Sequence, residues 1–307
     1  MPLDPVAKQL LDELIASGRP NAHLLPIEQA RANFEALFAG LRPGENVAAT
    51  SDHRIPVEGG EIPARSYRPS HTAGLGLVVY FHGGGWLLGS VESHDTICRS
   101  LANASGAIVL NVGYRCAPEA RFPTAVEDAW AATRWAHSNA AALGADPARL
   151  AVAGDSAGGN LAAVVAQRAR DEGAPSLRFQ LLVYPVTSAD LTTGFDLAYE
   201  GYFLYRDEMQ WHQDHYLSSP DERTDPRVSP LLGAAEGLPP AQIQAAECDP
   251  LHLQAEAYRD HLQAAGVPVD YHVYAGMIHG YLGLDSVFPI ARDAMDDAGD
   301  ALRRALA

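Results

Sequence analysis

Gly154-Asp155-Ser156-Ala157-Gly158 sets a serine in a G-x-S-x-G frame, and His82-Gly83-Gly84-Gly85-Trp86 is a second short run dominated by glycine. A serine hydroxyl is a poor nucleophile until a base takes its proton, so a reactive Ser156 calls for a histidine and an orienting carboxylate elsewhere in the chain. Consecutive glycines let a loop turn several backbone N–H groups toward one point, which is what an anionic tetrahedral intermediate needs. The glycine run is the more specific signal, with a chance expectation of ~0.01 in a shuffled chain against ~0.1 for the pentapeptide. It lacks the Lys-Ser/Thr sequel and the G-x-G-x-x-G register of a phosphate cradle. Acyl transfer through a covalent serine intermediate is the chemistry these residues predict. Its oxyanion donors are expected at Gly84 and Gly85, with Gly83 as the alternative, together with Ala157.

Twelve histidines compete for the base. In α/β-hydrolases the order along the chain is serine, acid, histidine, each on a loop past a strand end. His279 satisfies this in AGMIHGY, after the strand-like VDYHVY, and Asp249 does so in ECDPL, just past a strand ending at Ala246. Asp190 is the rival acid. His212 and His215, three apart, could be mistaken for metal ligands, but no third ligand accompanies them at a suitable spacing, and a solvated helix face is expected. His82 is expected to fix its own loop by hydrogen bonding, and His272, within a strand, to be structural.

Short β-rich segments must carry these loops. Ile62–Arg68, Leu77–Phe81, Ala107–Val112, Leu150–Ala153, Phe179–Tyr184, Ile243–Ala246 and Val269–Tyr274 read as strands, several as unbroken apolar runs suited to burial on both faces. Helical periodicity at Thr124–Ser138, Asn160–Glu172 and Leu253–Ala265 lies between them, which predicts a mostly parallel sheet with helices on both sides. Ser156 then sits in a strand–turn–helix setting, where a side chain at Gly154 or Gly158 would collide with its neighbours. Two amphipathic helices come first, over 5–17 and 26–41, the second with Ile27, Ala30, Phe34, Leu37, Phe38 and Leu41 on one face. The rhythm breaks between Pro185 and about Gly237, where Tyr199, Tyr202, Phe203, Tyr205, Trp211 and Tyr216 suggest a lid rather than a sheet element.

The 307 residues include 38 acidic and 22 basic side chains, a formal charge of −16, which argues against nucleic acid or anionic lipid as partner. With 47% apolar and 20% charged residues a sizeable core is expected. The N-terminus does not read as an export signal, no run suffices for a membrane span, and Cys98, Cys116 and Cys248 form no CxxC pair. A cytoplasmic address is the expectation.

The segments HGGGW, YRCAPEARFPTAVEDA, GDSAGG, DPL and GMIHG, in that order and spacing, resemble the bacterial hormone-sensitive-lipase-like esterases of the α/β-hydrolase superfamily. The resemblance runs from about residue 47 to the end of the chain. It implies an α/β-hydrolase core over 47–185 and 238–307, with a helical cap made of residues 1–46 and 186–237. It points to Ser156, Asp249 and His279 as the triad and to the HGG loop with Ala157 as oxyanion donors. It further implies small esters of short or medium acyl chains as substrates and no metal or organic cofactor. Where many members carry Leu in the YR-x-APE segment this chain has Cys116, read as packing variation. A homodimer through the edge of the last strand, a non-catalytic small-molecule receptor on the same scaffold, and an amidase or peptidase are the other readings the sequence leaves open.

Overall fold

The computed structural model describes residues 3–39 and 44–307, without the side chains of residues 38 and 39. Leu41 and the Phe38 side chain, expected on the second helix's apolar face, therefore lie outside the described residues. The chain opens with α1 (Pro5–Ala16) and α2 (Ile27–Ala39), then forms β1 (Ala49–Val57), β2 (Gly60–Arg68) and β3 (Leu75–Phe81). Next come α3 (Asp95–Ser105), β4 (Ile108–Val112), α4 (Thr124–Ser138), the single turn α5 (Ala140–Leu143), β5 (Ala145–Asp155), α6 (Ala157–Glu172) and β6 (Phe179–Val183). The long connection after β6 holds α7 (Arg206–Tyr216) and no strand, and β7 (Ala241–Ala246), α8 (His252–Ala264), β8 (Val269–Tyr274) and α9 (Ile290–Ala305) complete the chain.

Eight strands form one sheet in the order β1-β2-β4-β3-β5-β6-β7-β8. Only β2 runs against its neighbours; every pairing from β4 to β8 is parallel. The apolar runs alternate between two cores, as a pleated strand covered on both faces must. Leu77, Val79 and Phe81 of β3 pack toward α4, α6 and α8, while Val78 and Tyr80 pack toward α1, α3 and α9. Gln242 and Gln244 of β7 are fully buried among these apolar residues, and Gln244 Nε2 donates to the Ala294 carbonyl of α9 at 2.8 Å.

β1 carries little sequence signal, because it is the edge strand and eight of its nine residues are exposed or only half-buried, Ile55 alone being buried. α3 and α9 are also weakly marked: their contact is made by small residues, with Gly299 so close to Ala104 that a Cβ there would lie 2.5 Å from the alanine methyl. α6 begins at Ala157, three residues before its apolar periodicity, since Gly158 and Gly159 form its first turn.

Both N-terminal helices are tied to loops at the carboxyl ends of the strands. Asp4 caps α1 by accepting from the Val6 and Ala7 amides, and its own N–H donates to the Gly276 carbonyl in the loop after β8. Arg31 of α2 donates to the Leu87 and Ala117 carbonyls and pairs with Glu119 through both terminal nitrogens. No helix among the described residues is long and apolar enough to cross a membrane.

Candidate active site

Ser156 occupies the tight turn between β5 and α6 with φ 54° and ψ −117°, a backbone conformation that costs a non-glycine residue about 1–3 kcal/mol. The surroundings enforce it. The Ser156 N–H donates to the Val183 carbonyl at 2.9 Å, and the Ser156 carbonyl accepts from Asn160 and Val186. A Cβ at Gly158 would lie 1.9 Å from the Phe81 carbonyl oxygen, and one at Gly154 would lie 2.3 Å from the Gly158 oxygen. Both obstacles are backbone and cannot step aside.

Ser156 Oγ lies 2.9 Å from His279 Nε2, and His279 Nδ1 lies 2.7 Å from Asp249 Oδ2. An ionised carboxylate only accepts, so Nδ1 carries the proton and Nε2 is left to accept from the serine hydroxyl. Asp249 follows β7 and His279 follows β8, and the other carboxylate oxygen, Oδ1, accepts from the Leu251 N–H at 2.8 Å. Asp249 is 1% and His279 8% exposed. Burial pushes the imidazole pKa down, but the charge and hydrogen bond of Asp249 more than reverse this and raise it above the usual 6.5. Asp190 is not brought to His279. It is exposed after β6, where Thr192 and Thr193 occupy its carboxylate.

The loop after β3 is held from below by a buried network. Asp155 Oδ1 accepts from the Tyr80 hydroxyl at 2.7 Å and from the Gly83 N–H at 3.0 Å, with His94 Nε2 at 3.3 Å. Burial alone would raise the Asp155 pKa; His94 and Tyr80 hold it below the usual carboxylate value instead. The Gly83 N–H is already engaged with Asp155, and of the loop glycines Gly84 and Gly85 line the cavity beside Ser156. Gly84 has φ +110° and a Cβ there would meet the Leu88 carbonyl oxygen at 2.3 Å. His82 does bind its own loop: Nδ1 donates to the Gly83 carbonyl, the ring stacks on Tyr114 at 4.2 Å, and burial with His94 nearby lowers its pKa to about 3. His272 bonds Asp270 on the surface of β8.

A cavity of about 300 Å³ borders Ser156, His279, Gly84 and Gly85. Its walls are largely apolar and come from both parts of the chain expected to form a cap, with Leu14 and Phe34 on one side and Leu204 and Met209 on the other. His212 corrects an expectation: it is not on a solvated helix face but 5% exposed, with its ring pressed on Gly85. The sequence pattern could not reveal this, because the polar spacing of α7 is that of a surface helix and its burial comes from the loop it covers. Asp155, His94, Tyr80 and Glu208 were likewise silent in the sequence, although Asp155 stands within the pentapeptide itself.

A strained serine between a parallel strand and a helix, a histidine and a carboxylate from later strand ends, and a glycine loop from an earlier one define the α/β-hydrolase class. The chain belongs to that family: a profile described as alpha/beta hydrolase fold matches residues 78–283. Within it the chain sits with the hormone-sensitive-lipase-like esterases. It is 40% identical to an ethyl acetate hydrolase of Pseudomonas putida over 96% of both chains, and 41% identical to the carboxylesterase NlhH of Mycobacterium tuberculosis over 99% of this chain and 96% of that one. The solved structure of an esterase from Pyrobaculum calidifontis superposes with a TM-score of 0.91 at 39% identity, covering all of both chains.

If the Asp155 carboxylate is what holds the glycine loop in place, Asp155→Ala should lower kcat on p-nitrophenyl butyrate by about tenfold or more, because misdirected oxyanion donors cost rate rather than ground-state binding. KM should change less. Steady-state kinetics on protein shown to be folded by circular dichroism checks this, and an unchanged kcat would mean the contact does not position the loop.

Proposed function

We propose that the protein hydrolyses small carboxylic esters of short to medium acyl chain through Ser156, His279 and Asp249. The continuous hydrogen-bonded path from the serine hydroxyl to the buried carboxylate carries this reading, and the esterase names of the relatives support it. His279 Nε2 takes the Ser156 proton as Oγ bonds to the ester carbonyl carbon, and the carbonyl electron pair moves onto oxygen. The N–H groups of Gly84, Gly85 and Ala157 stabilise that oxyanion. Asp249 steadies the imidazolium without taking its proton. The carbon–alkoxy bond then breaks, the alcohol leaves with the proton from His279, and a water molecule repeats the sequence on the acyl-enzyme to release the acid and restore Ser156.

Residues 1–46 and 186–237 act in this reading as a cap that excludes water from the cavity. All three cysteines are free thiols, which supports a reducing, cytoplasmic address, and burial raises their pKa, that of Cys116 to about 12, so that they are poor nucleophiles. The β8 edge ends the sheet and leaves Val273 48% exposed, which supports a homodimer by edge pairing. Fractionation of expressing cells and sedimentation of the purified protein check these two points, an exported or strictly monomeric protein counting against them.

Ser156→Ala should abolish hydrolysis of p-nitrophenyl butyrate, and Asp249→Asn should cost roughly 10⁴ in kcat by analogy with serine proteases. Asp190→Asn should leave the rate near wild type. A large loss at Asp190 with none at Asp249 would reverse the assignment of the acid. The base must be neutral to accept a proton, and its pKa lies above 6.5, so kcat/KM should fall as pH drops through a midpoint above 6.5. In the Asp249→Asn protein the residual activity should show that midpoint moved to lower pH.

A further inference from the structure

Glu208 projects from the first turn of α7 into the cavity that Ser156 and His279 border. Its side chain is 15% exposed, and among the described residues it makes no hydrogen bond; His212 Nε2 lies 4.0 Å from its Oε1. Burial pushes the Glu208 carboxyl up to about 7, with His279 pulling the other way, and burial pushes His212 down to about 3, so the imidazole beside it is neutral. An unpaired carboxyl in an apolar wall costs stability. The hydrolysis steps above do not use it, and Leu204 and Met209 beside it show that the same wall accepts apolar side chains. A separation of 4.0 Å is too long for a direct hydrogen bond but is spanned by one oxygen bonded to both groups.

On the ester-hydrolase reading, we propose that Glu208 and His212 form a subsite that selects esters bearing a hydroxyl group close to the scissile carbonyl. A hydroxyl donates to the Glu208 carboxylate and accepts from the carboxylic acid, so it satisfies Glu208 in either protonation state. An ammonium group would have to be stripped of water in a mostly apolar cavity and would match only the ionised form. Selectivity follows because an ester without the hydroxyl leaves both buried groups unpaired.

The test compares kcat/KM for ethyl 3-hydroxybutyrate against ethyl butyrate, and for 2-hydroxyethyl butyrate against ethyl butyrate, in the wild type and in Glu208→Leu and Glu208→Gln. In at least one pair the preference for the hydroxylated ester should fall about tenfold in Glu208→Leu and be largely kept in Glu208→Gln, whose amide still bonds a hydroxyl. Thermal unfolding of Glu208→Leu should show Tm held or raised. Ratios that do not move in either pair, or equal loss on both members of each pair, would overturn the subsite, and so would a larger gain for ethyl 3-aminobutyrate than for the hydroxy ester. Titration of the same esters into Ser156→Ala reads the discrimination without turnover. Absence of hydrolysis in the wild type with discrimination in that titration would sink the ester-hydrolase reading alone.

Discussion

The approach of two backbones at one point governs the rest of the molecule. The first turn of α6 lies against the end of β3 so closely that Gly158 has no room for a methyl group beside the Phe81 and His82 carbonyls. That contact brings the glycine loop, which starts at His82, next to the serine at the head of α6. It also forces Ser156 into a positive φ, which lifts its hydroxyl clear of the strand. Parallel pairing of β3 with β5, from Leu77 against Leu150 to Phe81 against Gly154, sets the two strand ends level so that the approach can occur.

Two buried pairs of carboxylate and imidazole serve this point differently. His279, backed by the buried Asp249, borders the cavity, and one ring nitrogen is left to meet Ser156. Asp155 with His94 is committed to the glycine loop, accepting from the Gly83 amide and the Tyr80 hydroxyl. Neighbouring residues of one pentapeptide thus do unlike work: Ser156 is displayed, while Asp155 is turned inward and fixes the loop opposite. Asp155 and Asp249 can be buried because each is met by donors. Glu208, on the wall of the same cavity, has no such donor within hydrogen-bond distance among the described residues.

The N-terminal helices are tied to the loops around this centre by specific polar contacts as well as apolar ones. Arg31 grips carbonyls at Leu87 and Ala117, and Asp4 reaches the loop that carries His279. His212 rests on Gly85, so α7 bears directly on the loop expected to hold negative charge.

Much of this was legible in the chain. The apolar runs of β3 to β7 mark buried parallel strands, the glycines of both motifs mark places where backbones must meet, and the order of Ser156, Asp249 and His279 past strand ends is a local pattern that needs no coordinates. The edge strand β1, the small-residue helices α3 and α9, the burial of His212 and the engagement of Gly83 left no such trace. Each depends on what a distant segment places beside the residue. Periodicity and spacing report a residue's own backbone and its near neighbours along the chain. Whether a polar side chain ends in water or under a loop, and which amide is already taken, is decided only when sequence-distant elements pack, and there the tertiary structure alone settled which groups face the serine.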